Sequence, residues 1–222
     1  MVTLSDIREE ATRLTQAADA GSVLDDLSCT LIAFAVRITV TTLDSEGARQ
    51  QARLAIDLGA STDQLHEIVL LVSGLGVHSL FEGTRLVNDL SVPPAIAGSE
   101  VAGATPPLDE ARQQLWDKWI GTDGYWQGFE REVPGFLATL LKASPQGFDA
   151  FFRYCAVPWK SAHLPVLTKE LISMAVDAIP THRFLPGMRL HLGNAMKLGA
   201  GRAMVMKALE IAAAAPEHPG VA

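Results

Sequence analysis

Residues 167–200 read LTKELISMAVDAIPTHRFLPGMRLHLGNAMKLGA, and residues 27–60 read LSCTLIAFAVRITVTTLDSEGARQQARLAIDLGA. Laid over one another without a gap, at an offset of 140, twelve of the 34 positions are identical. The shared residues are mostly small or apolar: Leu27, Ile32, Ala35 and Val36 in the first stretch match Leu167, Ile172, Ala175 and Val176 in the second. Gly47 and Arg49 match Gly187 and Arg189, and Leu58-Gly59-Ala60 matches Leu198-Gly199-Ala200. Glycine and arginine held in register across an ungapped stretch argue for two copies of one helical unit. Each copy has an apolar face to bury, so the two are expected to pack together.

Working outward, helical periodicity dominates. Leu4, Ile7, Ala11, Leu14 and Ala18 share one face of a helix over 4–18. Helices are expected over 24–40 and 45–58, the second stopped at Gly59. Ser61 and Gln64 form an S-x-x-Q capping box for a fourth. Residues 91–107, SVPPAIAGSEVAGATPP, read as a linker. Beyond it, helices are expected over 108–120, 136–141, 148–155, 167–179, 187–198 and 202–215, with an aromatic stretch around Trp116, Trp119, Tyr125, Trp126 and Phe129. The expected fold class is all-α, with a first repeat over 1–90, a linker over 91–107 and a second repeat over 108–222.

Composition narrows the functions. A hydrophobic content of 48% against 19% charged residues fits a folded chain. The net charge of −7 disfavours nucleic acid as a partner. The longest apolar stretches, 30–36 and 68–77, fall short of the roughly 20 residues a membrane helix needs. The N-terminus is polar and acidic, unlike a secretory signal, so a cytoplasmic location is expected. Cys29 and Cys155 form neither a C-x-x-C pair nor part of a metal set. No cofactor and no metal are expected.

The differences between the copies carry the chemistry. Glu170, His191 and His182 stand where the first copy has Thr30, Gln51 and Thr42. Glu170, Ser173 and Asp177 form a polar stripe, spaced i, i+3, i+7, on an otherwise apolar helix. A carboxylate on such a helix is costly unless paired, and His191 on the next helix is its candidate partner. Together they make a candidate acid–base pair near neutral pH. Asn194 lies one turn beyond His191 on the same face and offers a neutral donor and acceptor. His182, His78 and Trp159 are further candidates for holding a substrate. Arg189 is expected to point elsewhere and to be structural.

These residues carry a resemblance. Lys169-Glu170-Leu171-Ile172, Asp177-Ala178, Thr181-His182, Pro186-Gly187-Met188-Arg189-Leu190-His191 and Asn194-Ala195 resemble the carboxymuconolactone decarboxylase-like branch of the alkylhydroperoxidase-D superfamily. Gly76-Val77-His78-Ser79 and Pro158-Trp159 share in it. The resemblance implies an all-helical fold and a homo-oligomer, most simply a trimer of two-copy chains. The peroxidase branch uses Glu, a C-x-x-C pair and His. The Glu and His fall here on Glu170 and His191, while the cysteine positions fall on Phe184 and Gly187. Thiol peroxidase chemistry is therefore not expected.

Two functions follow as expectations. The first is a cofactor-free enzyme acting by proton transfer (decarboxylation, isomerisation or elimination) on a small oxygenated organic acid or lactone. There His191 is the acid–base and Glu170 its orienting carboxylate. The second is a non-catalytic helical assembly or ligand-binding protein that has kept the fold. A Glu170–His191 pair open to a ligand favours the first, and a pair sealed in the core favours the second.

Overall fold

The computed structural model describes residues 1–91 and 108–220. The linker expected over 91–107 lies, Ser91 apart, outside the described residues. All regular structure among the described residues is helical. The chain divides into two compact units, one formed by Met1–Leu75 with Val157–Ala222 and the other by Gly76–Ala156. The repeats read over 1–90 and 108–222 thus both contribute to the first unit, and each also gives a piece to the second.

In the first unit, α1 (Leu4–Leu14) precedes α2 (Asp26–Ile38), α3 (Ser45–Asp57) and α4 (Thr62–Ser73). After the second unit come α10 (Val166–Ala178), α11 (Leu185–Lys197) and α12 (Arg202–Ala213). The bounds of α2, α3 and α4 recur in α10, α11 and α12 at the same offset of 140, as from Asp26 to Val166 and from Ser73 to Ala213. Local geometry repeats with them. Gly59 and Gly199 end α3 and α11 with φ of 98° and 97°. That left-handed turn lets Ala60 N–H reach Ala55 O at 2.8 Å and Ala200 N–H reach Ala195 O at 2.9 Å. Leu43 and Arg183, also at equivalent positions, hold φ of 40° and 52°. Each such residue costs about 1 kcal/mol or more. The following amides repay the turn by bonding back to the preceding helix, Asp44 N–H to Arg37 O at 2.9 Å and Phe184 N–H to Asp177 O at 2.8 Å.

The copies start their helices differently. Asp25, Asp44 and Ser61 cap α2, α3 and α4 through their side chains, and the expected Ser61–Gln64 capping box is present. Pro165, Phe184 and Gly201, which precede α10, α11 and α12, make no side-chain cap. For α12 the backbone before α2 supplies the acceptors: Arg202 N–H bonds Asp19 O at 3.1 Å and Ala203 N–H bonds Ala20 O at 2.8 Å. For α10 packing takes over. Every residue from Lys169 to Ala178 is buried, and α2, α4, α11 and α12 pack on this helix. Ile172, Met174, Ile179, Met188 and Leu192 are fully buried around it.

Glycine is required at Gly187, where a side chain of α10 meets α11, and at Gly47, where the capping side chain of its own helix lies over it. A Cβ on Gly187 would stand 2.1 Å from Asp177 Oδ2, and one on Gly47 would stand 2.0 Å from Asp44 Oδ2. The conserved register of these two glycines therefore makes room for a carboxylate in each copy.

The second unit holds α5 (Val77–Ser91), α6 (Glu110–Trp119), α7 (Gly124–Glu132), α8 (Phe136–Ala143) and most of α9 (Pro145–Lys160). Its core is aromatic. Phe81 lies 4.3 Å from Phe136 and 5.4 Å from Phe129 between ring centroids, and Trp126 meets Phe152 edge-on at 4.7 Å. Of the aromatic stretch read from the sequence only Phe129 is buried, while Trp116, Trp119, Tyr125 and Trp126 are half-buried.

One expectation needs correction. Thr62–Thr84, comprising α4, the 3₁₀ turn Gly74–Gly76 and the start of α5, is one run of 23 residues long and apolar enough to cross a membrane by length and composition. Residues 68–77 alone fall short of a membrane span, and the helical residues flanking them make up the length. The run carries Glu67, which is buried in an ion pair described below.

Two glycines of α11 should behave oppositely. Gly193 has open space where a Cβ would go. Gly193→Ala should stabilise the protein by about 0.5–1 kcal/mol through helix propensity. Gly187→Ala should destabilise it by about 1–3 kcal/mol through overpacking. Urea denaturation of both variants checks this, and equal effects would contradict it.

Candidate active site

The expected pair is formed. His191 Nδ1 lies 2.7 Å from Glu170 Oε2. The side chains keep 15% and 6% of their exposure, so the imidazole is not sealed. Glu170 sits in the first half of α10 and His191 in the middle of α11, where the turn at Arg183 brings the two helices together. The same register in the first copy gives no such pair. Thr30 there turns its hydroxyl back onto Asp26 O at 2.7 Å.

The electrostatics favour a protonated imidazole. Burial disfavours the charged form of His191, but the bond to Glu170 and the charges of Glu170 and Asp177 outweigh it, and its pKa is raised. With Nδ1 engaged by Glu170, Nε2 is left for exchange with a ligand. Trp159 stacks on the imidazole, with ring centroids 6.1 Å apart and planes 3° from parallel. An indole face attracts a cation, so the stack acts in the same direction.

Asp177, the third residue of the stripe, belongs to the site although the sequence placed it only on the stripe. Burial pushes its carboxyl up to about 7, with His191 partly opposing. His182 Nε2 lies 3.8 Å from Asp177 Oδ1, its ring stacks on Phe184 at 5.8 Å, and burial pushes its pKa down to about 4. Asn194 Nδ2 is buried with no hydrogen-bond partner among the described residues. A buried donor of this kind costs about 1–3 kcal/mol until an acceptor reaches it. His78 lies in the second unit, in the first turn of α5, with its ring 5.3 Å from that of Phe81.

Arg189 is structural, as its position implied: its Nε bonds Glu10 Oε1 of α1 at 2.7 Å. Burial raises both thiols, Cys155 to about 11, so neither favours a thiolate.

Two buried residues, Lys169 and Glu67, are not legible in the sequence as an ion pair. Lys169, fully buried on α10, lies 2.5 Å from Glu67 Oε1 on α4. Their signals were a lone lysine next to Glu170 on an apolar helix, and a glutamate in the apolar run of α4.

The chain is similar to a crystal structure from Burkholderia xenovorans LB400, described as that of "a putative gamma-carboxymuconolactone decarboxylase subunit". The similarity covers 95% of this chain and 90% of that one, with 28% sequence identity and a TM-score of 0.69. The all-helical fold is shared with that protein. No protein-family model and no curated protein matches the chain.

Asp177 and His182 make a pH prediction. The folded pKa of His182 is depressed, so its stability contribution is present above its unfolded value near 6.5 and is lost as pH falls toward 4. The folded pKa of Asp177 is raised, so its contribution is present below its unfolded value near 3.8 and is lost as pH rises through about 7. Between about pH 4 and 6.5 the two residues together hold one proton in both the folded and unfolded states. Their slopes therefore cancel. Asp177→Asn removes one side of the balance. Its unfolding free energy should fall, relative to wild type, by up to about 1.4 kcal/mol per pH unit on acidification through that range. Parallel stability–pH curves for the two proteins would contradict the assignment.

Proposed function

We propose that the chain is a cofactor-free enzyme of the carboxymuconolactone decarboxylase-like type, acting by proton transfer on a small oxygenated organic acid or lactone. The observation that carries this reading is the Glu170–His191 bond of 2.7 Å with the imidazole still partly open. A relic of a lost site would have no need of that opening. The similarity to the Burkholderia protein supports the same reading.

His191 enters the reaction protonated. It delivers a proton from Nε2 to the substrate atom on which negative charge develops, whether as carbon dioxide leaves or as a double bond moves. Glu170 fixes the orientation of the ring through Nδ1 and stabilises the imidazolium. Nε2 is reprotonated from water or from the substrate before the next turnover. The amide of Asn194 donates to a substrate oxygen, which relieves its buried Nδ2. His182, held neutral by burial, is the further substrate contact in this reading. The assembly that accompanies it is a homo-oligomer, most simply a trimer.

The test is turnover of small carboxylated lactones, followed by ultraviolet absorbance and carbon dioxide release. His191→Gln should lower turnover by roughly 10²–10⁴, the usual contribution of a positioned acid–base. Glutamine is the right replacement because Gln51 occupies the equivalent position in the same fold. Gln51→His should leave turnover unchanged, since Thr30 supplies no carboxylate. A folded His191→Gln protein with full turnover would demote the pair to structure.

A further inference from the structure

Lys169 is the residue before Glu170, and it is fully buried. Its ammonium has three N–H donors, and three acceptors meet it: Glu67 Oε1 at 2.5 Å, Pro158 O at 2.9 Å and Ser161 O at 2.7 Å. The second oxygen of Glu67 is equally occupied. It accepts from Ser161 Oγ at 2.8 Å, His163 N–H at 3.0 Å and Leu164 N–H at 3.1 Å. Between them, two charged side chains hold the chain from Pro158 to Leu164 at five points. That segment begins in the last turn of α9, whose carbonyls lack helical donors, and an ammonium there also meets the negative end of the helix. Trp159 follows Pro158 directly, and its ring is the one stacked on His191.

We propose that Lys169, held by Glu67, is a positioning residue for His191: by fixing Pro158 and Ser161 it sets the Trp159 ring parallel to the imidazole that Glu170 holds at Nδ1. Successive residues of α10 would then act on the same imidazole, Glu170 at its edge and Lys169 at its face through the indole. The inference rests on reading Glu170 and His191 as the reacting pair. The first copy provides an internal comparison. The positions equivalent to Lys169 and Glu67 are Cys29 and Lys207, which form no such charge pair, and the same offset carried back beyond the matched helices puts Asp19, in a non-helical stretch, opposite Trp159 of α9. The copy that has Thr30 and Gln51 in place of Glu170 and His191 therefore lacks the clamp and the indole as well. A clamp needed only to pack two copies together would have no reason to accompany the reactive pair.

Removing one partner alone would strand a buried charge, whereas replacing both by apolar residues of similar size is tolerated in many proteins. The test therefore uses the double variant Glu67→Leu/Lys169→Met. Two readouts are followed through pH 5–9: the His191 imidazole by NMR, and the Trp159 emission, taken as the difference from Trp159→Phe. Wild type should show Trp159 emission that changes with His191 protonation. In the folded double variant that dependence should be lost, and the His191 midpoint should fall by about half a pH unit, the size of an exposed cation–π contact. Trp159→Leu, which leaves the clamp intact, should move the His191 midpoint by the same amount. A double variant with wild-type emission and midpoint would overturn the proposal, as would a Trp159→Leu protein with an unmoved midpoint. Neither readout needs turnover, so the two readings fail separately. Full turnover in His191→Gln would remove the enzymatic role and leave the positioning standing.

Discussion

The cost of burying charge on α10 organises the first unit. The helix is enclosed by four others, yet it carries Lys169, Glu170 and Asp177 among its buried residues. A charge moved from water into such a place costs several kcal/mol unless it is paired and its remaining hydrogen-bonding capacity is met. Each residue answers this differently. Lys169 pairs with Glu67 and two carbonyls. Glu170 pairs with His191. Asp177 avoids the charge, its carboxyl holding a proton until about neutral pH. The partners come from α4 and α11, so helix packing and proton placement are one problem with one solution.

That solution is confined to one copy. Equivalent positions elsewhere in the unit bear Cys29, Thr30 and Arg37, and these manage with a backbone bond or a looser ion pair, Arg37 to Asp44 at 3.6 Å. The shared frame of helix bounds, left-handed turns and paired glycines is thus independent of the charges set into it. A frame of this kind keeps its shape while one copy concentrates the ionisable groups. Those groups then shift one another's proton affinities, as a proton-transfer site requires.

Much of this was legible in the sequence. The register of residues 27–60 on 167–200 predicts the paired helices, because identical small and apolar residues demand the same local packing. Glu170 and His191 stood out because they break that register with ionisable groups. Legibility failed where contact depends on packing between distant segments. Glu67 and Lys169 are 102 positions apart, and no periodicity links them. In the sequence Asp177 is one more polar residue of the stripe; only the structure shows Gly187 admitting its carboxylate beside α11. Helix ends in the second copy were also hard to place, since Pro165, Phe184 and Gly201 carry no side-chain cap to mark them. The membrane-length run is hidden for the opposite reason: helical residues follow one another through Gly74–Gly76, where the glycines of the sequence mark a break.

The central claim is that Glu170 makes a half-buried histidine hold a proton. Its most direct test is the NMR titration of the His191 imidazole in wild type and in Glu170→Gln. In wild type the midpoint should lie above the usual value near 6.5. In Glu170→Gln burial remains while the main compensating charge is gone, so the midpoint should drop by more than one unit, to below that value. Equal midpoints in the two proteins would contradict the account.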